Sequence, residues 1–281
     1  MTVLLAFCVG VIATRILVLA GRDLLRAPAL QRANHRDRRV PTSAGVIAVL
    51  AVLLVEGGRA LFGAFGIGEQ AASLDRTVVL LACLGFCLLG LIDDLAGTDR
   101  DRGFRGHARA LAEGRVTSGV GKLVGGAALA IALVAASEPG ASGARVVADA
   151  ALVALAANVA NLFDRAPGRT IKVALLVWLP LAIVAGTDAV GVAIAPVVGA
   201  FAGLLGDDVR ERLMLGDAGA NALGGALGLA VVLECAPTTR TVVLVVLALL
   251  TIASEVVSFG RVIDRVPPLR AFDRLGRPGE E

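Results

Sequence analysis

Long apolar blocks separated by short polar segments set the rhythm of this chain. Runs rich in Ala, Val, Leu, Ile and Gly recur near 2–20, 44–64, 77–92, 120–137, 145–163, 172–186, 189–206, 217–235 and 240–259. Crossing the hydrocarbon core of a bilayer takes about 20 apolar residues, with a range of roughly 17–25. The pattern predicts an all-α fold, a polytopic transmembrane helix bundle of about nine spans, of which the fourth and sixth are short. Brief polar turns join the blocks, which argues for one transmembrane domain over 1–259, with its functional loops on one side. A basic C-terminal tail over 260–281 follows. The first block has no basic residues ahead of it and carries Arg15 within it. It is expected to be a retained membrane helix and not a cleaved leader.

The basic residues orient the bundle. Segments 21–43, 93–119, 164–172, 207–216 and 260–281 hold most of the arginine and lysine, including Arg22, Arg39, Arg100, Arg102, Arg105, Arg115, Arg165, Lys172, Arg212, Arg270 and Arg277. The alternate set, 65–76, 138–144, 187–188 and 236–239, holds Arg76, with Arg59, Arg145 and Arg240 near its helix ends. Lys and Arg accumulate in cytoplasmic loops, so the N-terminus is expected outside and the C-terminus in the cytoplasm.

Composition sharpens the class. The chain is 57% hydrophobic and only 18% charged, and the charges are bunched, so lipid is its main solvent. A net charge of +3, without a basic stripe interleaved with aromatics, excludes a nucleic-acid binder. Cys8, Cys83 and Cys87 lie inside apolar runs and Cys235 at the end of one; no CxxC pair suggests zinc or a disulfide framework.

The polar residues that interrupt the blocks gather on the basic side. Asp93 and Asp94 close the third block. Adjacent carboxylates at a helix C-terminus repel each other and oppose the helix dipole, so they call for a metal, a proton or solvent. Asn158, Asn161 and Asp164 share one face at the end of the fifth block, and amides inside an apolar helix need another helix or a ligand. Asp217 opens the eighth block in Gly216-Asp217-Ala-Gly219. There the dipole favours an acid, and the small residues admit a neighbouring helix or a phosphate. Lys122 opens the fourth block and can meet a phosphate as a point charge or snorkel towards water. Glu255, within the last block, needs a polar neighbour. Singly each residue has a structural explanation. Together they suit phosphoryl transfer at the headgroup level, with carboxylates for Mg²⁺ and cations against developing charge.

These motifs resemble those of the polyprenyl-phosphate N-acetylhexosamine-1-phosphate transferases, glycosyltransferase family 4, which include the phospho-MurNAc-pentapeptide translocase of peptidoglycan synthesis. Pro41-Thr42-Ser-Ala-Gly45 looks like the family's Pro-Thr-x-Gly-Gly loop, and Leu91-Ile-Asp93-Asp94 like its paired aspartates. Lys122 resembles the lysine opening its fourth helix, Asn158-Val-Ala-Asn161-Leu-Phe-Asp164 its Asn-x-x-Asn-Leu-x-Asp-Gly motif, and Gly216-Asp217-Ala-Gly219 its Gly-Asp-x-Gly. The similarity runs from about Arg39 to Glu255. It implies transfer of a sugar-1-phosphate from a UDP-sugar to undecaprenyl phosphate in the inner (plasma) membrane, with Mg²⁺ as cofactor. It implies catalytic roles for Asp93, Asp94 and Asp164, and metal ligation by Asp217 and Asp94. Substrate binding would fall to Thr42, Lys122, Asn158, Asn161, Arg165 and Arg270, and a homodimer is compatible with the resemblance.

The chain also departs from the family pattern. Arg165 replaces the glycine after Asp164, and the family's histidine cluster is missing, since the only histidines are His35 and His107. The corresponding region is arginine-rich, from Arg265 to Arg277, and a family-like tenth span does not follow it. Two other readings stay open: a non-catalytic relative that binds polyprenyl phosphate or a partner protein in envelope assembly, and a transporter or flippase. The last predicts ionisable residues through the membrane thickness.

Overall fold

The computed structural model describes residues 2–34, 36–68, 73–96, 109–110, 113–114 and 117–278. Arg100, Arg102, Arg105, Arg115 and both histidines lie outside the described residues. The apolar blocks form helices α1 (Val3–Ala20), α2 (Gly45–Ala64), α3 (Leu74–Ala96), α4 (Ser118–Ser137), α5 (Gly143–Phe163), α6 (Arg169–Ala185), α7 (Ala189–Asp208), α8 (Gly216–Glu234) and α9 (Pro237–Ser254). Two short helices follow, α10 (Phe259–Arg265) and α11 (Pro267–Arg274). A two-stranded antiparallel ribbon pairs Gln31–Ala33 with Arg39–Pro41 ahead of α2.

Among the described residues, eight helices, α1 to α5 and α7 to α9, are long and apolar enough to cross a membrane. The sequence pattern predicts about nine, and the difference is α6. It has 17 residues, opens on the buried cations Arg169 and Lys172, and carries Pro180 in its interior. Its length sits at the lower limit of the roughly 17–25 residues a span needs, and because its first residues lie beside the end of α7 it still runs from the Asp208 end of the bundle back towards the start of α7. The last span also ends earlier than its apolar block, at Ser254, so Glu255 lies beyond the helix and not within it.

The core sits around α7 and α8, which are buried along most of their length while the outer helices turn long apolar faces outward. Small residues make this possible. A Cβ on Gly224 of α8 would stand 2.5 Å from the Ala156 carbonyl oxygen of α5, and one on Gly225 would stand 2.3 Å from the Phe86 ring of α3. Likewise α1 meets α7 backbone to backbone: a Cβ on Gly10 would be 2.2 Å from the Pro196 oxygen, and one on Gly199 would be 2.1 Å from the Phe7 oxygen. Lipid gives helices no hydrophobic reason to associate, so close packing of this kind carries the bundle.

Several charges at the bundle's far end are paired. Glu56 of α2 accepts from Arg59 at 2.8 Å and pairs with Arg76 of α3 at 2.7 Å. Asp149, fully buried near the start of α5, accepts from Arg145 Nε at 2.8 Å and pairs with Arg240 of α9 at 3.1 Å; Arg240 also reaches Glu138 at 3.0 Å. The four arginines that sequence places on or near that side are therefore bound to acids, as charges near lipid must be. Arg15, inside the first apolar block, pairs with Asp207 at the end of α7.

Candidate active site

Backbone contacts bring the glycine-bearing segments together at one end of the bundle. Met214 N–H donates to the Pro41 carbonyl at 2.7 Å, Ala44 N–H to the Met214 carbonyl at 3.1 Å, and Gly45 N–H to the Leu215 carbonyl at 3.0 Å. Gly216 has φ +74°, and a Cβ there would stand 2.7 Å from both Asp94 Oδ2 and Ser43 N. A Cβ on Gly45 would lie 2.0 Å from the Gly219 Cα, and one on Gly90 would lie 2.2 Å from the Asp217 carbonyl oxygen. The start of α2, the end of α3 and the start of α8 thus touch with no side chain between them.

Asp94 seals this junction. Its Oδ1 accepts from Asp217 N–H at 3.0 Å, and its Oδ2 accepts from Ala218 N–H at 3.1 Å and Ser43 Oγ–H at 2.7 Å. The first N–H groups of a helix have no partner within it and carry partial positive charge, so a carboxylate there is stabilised.

Asp93, one residue earlier, lies about 100° around the helix and faces α4. Lys122 Nζ lies 2.6 Å from Asp93 Oδ2 and 2.6 Å from Asp217 Oδ2. Asn161 Nδ2 donates to that same Asp217 oxygen at 3.3 Å. Four helices, α3, α4, α5 and α8, therefore meet around one ammonium.

Behind this cluster lies a cavity of about 290 Å³, lined among others by Thr42, Asp94, Asp164, Arg165, Asp208 and Asp217. Thr170 Oγ–H donates to Asp164 at 3.3 Å. Burial, together with the charges of Asp208, Asp217 and Asp94, pushes the Asp164 carboxyl well above the usual carboxylate range. Asp208, a residue to which sequence reasoning assigned no role, is buried and accepts from Gly168 N–H at 3.1 Å, which fixes the loop after Asp164. No motif marks it; its only sequence signal is a second acid closing an apolar helix.

The structure gathers Thr42, Asp93, Asp94, Lys122, Asn161, Asp164, Arg165 and Asp217 at this end. Two expected substrate residues stand apart. Asn158 Nδ2 donates at 3.3 Å to Thr251 of α9, a helix-packing bond. Arg270 lies on the exposed side of α11 and does not line this cavity.

Among the described residues, no three His, Cys, Asp or Glu side chains are grouped as a metal cage. A small hard cation does not require one, because one or two carboxylates suffice when water and substrate phosphates complete the shell. Asp93 and Asp217 form such a pair and already converge on one cation. Asp94, expected to be a metal ligand, has both oxygens engaged by the α8 N-terminus and Ser43.

No family model matches the chain. Two curated relatives do. It is 29% identical over 273 residues to a phospho-N-acetylmuramoyl-pentapeptide-transferase of Desulforudis audaxviator, covering 84% of this chain and 77% of that protein. It is 34% identical over 195 residues to a protein of the same name from Deinococcus radiodurans, covering 66% of this chain and 58% of that one.

Proposed function

We propose that this chain, whose motifs resemble those of the polyprenyl-phosphate N-acetylhexosamine-1-phosphate transferases and which is similar to two curated phospho-N-acetylmuramoyl-pentapeptide-transferases, moves a sugar-1-phosphate from a nucleotide sugar to a polyprenyl phosphate. The reading places it in the plasma membrane with the carboxylate cluster on the cytoplasmic face, in the synthesis of peptidoglycan or other envelope precursors. An oxygen of the lipid phosphate would bond to the sugar-bearing phosphorus of the donor. The bond from that phosphorus to the bridging oxygen would break, and UMP would leave with the oxygen and its electron pair when the donor is a UDP-sugar.

One observation carries the reading: acids from α3 and α8 and a lysine from α4 meet at 2.6 Å contacts around a single point. Lys122 supplies positive charge where a diphosphate would lie. Asp93 is the carboxylate placed to take a proton from the acceptor phosphate, since Asp94 is occupied in capping α8. Asp164, inclined by its surroundings to hold a proton, can donate a hydrogen bond to a donor oxygen. Asp217 would hold Mg²⁺, whose charge would offset that on the diphosphate.

The test is release of UMP by purified protein given Mg²⁺, undecaprenyl phosphate and a panel of UDP-sugars. Turnover that disappears in Asp217→Asn supports the proposal. Binding of polyprenyl phosphate without turnover of any nucleotide sugar would favour the second reading, a non-catalytic relative, which the missing histidine cluster suggests.

A further inference from the structure

A second cavity, of about 770 Å³, adjoins the carboxylate cleft and shares Arg165, Ala166, Pro167 and Glu211 with it. Its far wall is not built by a membrane-crossing helix. α10, α11 and the residues that follow fold back beneath α6 and contribute Arg261, Asp264, Asp273, Arg274 and Arg277.

One buried carboxylate fixes the fold-back. Asp273 accepts from Arg169 Nε at 2.7 Å and Nη2 at 2.9 Å, and from Arg277 Nη2 at 2.7 Å. Lys172 donates to the carbonyl oxygens of Phe272 at 3.2 Å and Leu275 at 3.3 Å, and to that of Asp273. Its ammonium also lies 5.7 Å from the centre of the Phe272 ring. Arg277 Nε donates to the Pro167 carbonyl at 3.0 Å, which ties the tail to the loop after Asp164. A two-pronged guanidinium–carboxylate pair away from water is both strong and directional.

Pairing within the wall leaves charge facing the chamber. Asp273 engages Arg169 and Arg277, and Glu211 engages Arg36 at 3.2 Å. Among the described residues, the guanidiniums of Arg165 and Arg261 make no hydrogen bond or ion pair, and neither do the carboxylates of Glu255 and Asp264. Planar guanidinium forks suit phosphate or carboxylate oxygens, while acids beside them suit the hydroxyl and amide hydrogens of a sugar or a base.

We propose that this chamber holds the non-reacting anionic part of the donor, and that Asp273 is a positioning residue whose clasp on α6 makes the C-terminal fold-back a wall of the donor site. The ligand class is a phosphorylated or carboxylated polyhydroxyl compound, which rests on the transferase reading above.

The test uses the full-length protein in detergent, with inorganic pyrophosphate as the probe and EDTA present, read by calorimetric titration alongside hydrogen exchange of residues 259–278. Arg261→Gln and Arg165→Gln should each weaken pyrophosphate binding roughly tenfold, the scale of one charge-assisted hydrogen bond, while leaving tail exchange unchanged. Asp273→Asn should speed tail exchange and weaken binding together, and the exchange readout separates release of the tail from a merely structural loss. Binding unchanged in both arginine variants would overturn the chamber assignment, as would a wild type that does not bind pyrophosphate. Fast tail exchange with unchanged binding, or unchanged exchange in Asp273→Asn, would overturn the role of the clasp. A wild type whose pyrophosphate binding depends on Arg165 and Arg261 but that releases no UMP would sink the transferase reading and leave the chamber standing.

Discussion

Lys122→Met isolates the interaction around which the carboxylate cluster is built. The ammonium makes two contacts of 2.6 Å, and the three side chains it joins are 19–29% exposed. At an effective dielectric of about 20, each contact is worth on the order of 6 kcal/mol of Coulomb energy. Desolvating three charges returns most of that, and partial exposure screens the rest. Removing the cation also leaves Asp93 and Asp217 facing each other without compensation, the situation in which broken ion pairs cost about 3–5 kcal/mol when fully buried. A loss of about 2–4 kcal/mol is therefore expected in EDTA, read as a lowered midpoint in thermal unfolding followed by scanning fluorimetry. Two further arms fix the cause. Asp93→Asn in the same background should recover part of the stability, because it removes the repulsion. Mg²⁺ should raise the midpoint of Lys122→Met more than that of the wild type, because the metal then enters a carboxylate pair with no ammonium to displace. If Lys122→Met unfolds at the wild-type temperature in EDTA, the three groups do not form the coupled unit described here.

Asp217→Asn should cut UMP release at least 100-fold, on the order of 3 kcal/mol of lost transition-state stabilisation, with the α8 N-terminus still capped by Asp94. Gly45→Ala should destabilise the bundle by about 1–3 kcal/mol or prevent its assembly, because the added carbon would lie 2.0 Å from the Gly219 Cα; yield and monodispersity in detergent measure this. The tail clasp should resist acid. Burial opposes ionisation of Asp273, but hydrogen bonds from Arg169 and the charges of Arg169, Arg277 and Lys172 outweigh it and hold the carboxyl below its usual range. A folded value depressed below the unfolded one contributes stability that is full above about pH 4 and fades as pH falls through the folded value. Hydrogen exchange at 259–278, corrected for its intrinsic pH dependence, should stay constant from about pH 8 to pH 5 and accelerate only below about pH 4.

The helices were legible because lipid imposes one solution on an apolar run, and the backbone must bond within itself. The acids of the cluster were legible because each interrupts such a run at an end. What sequence could not separate was Asp93 from Asp94. They are neighbours in the chain but point to different helices, one to a lysine 29 positions on and the other to the start of α8. That division comes from helical phase and tertiary packing, not from residue type. Asp208 and Asp273 were hidden for a related reason. Their partners, Gly168 and Arg169, are 40 and 104 residues away, and no local pattern announces a bond of that span. Arg169 and Lys172 were counted as evidence of orientation, yet they anchor the tail. Asn158 and Asn161 are alike in sequence and one turn apart, but only the second reaches Asp217.

The backbone-to-backbone seating of α8 also decides what can move. A helix gripped by neighbours on nearly every side, with carbonyl oxygens where side chains would otherwise cushion it, has no low-cost sliding or rotating coordinate. Asp217 is mounted on that post. On the proposed transferase reading, motion during turnover would belong to the rim, where the tail hangs on salt links, and arriving molecules would adjust to a stationary carboxylate.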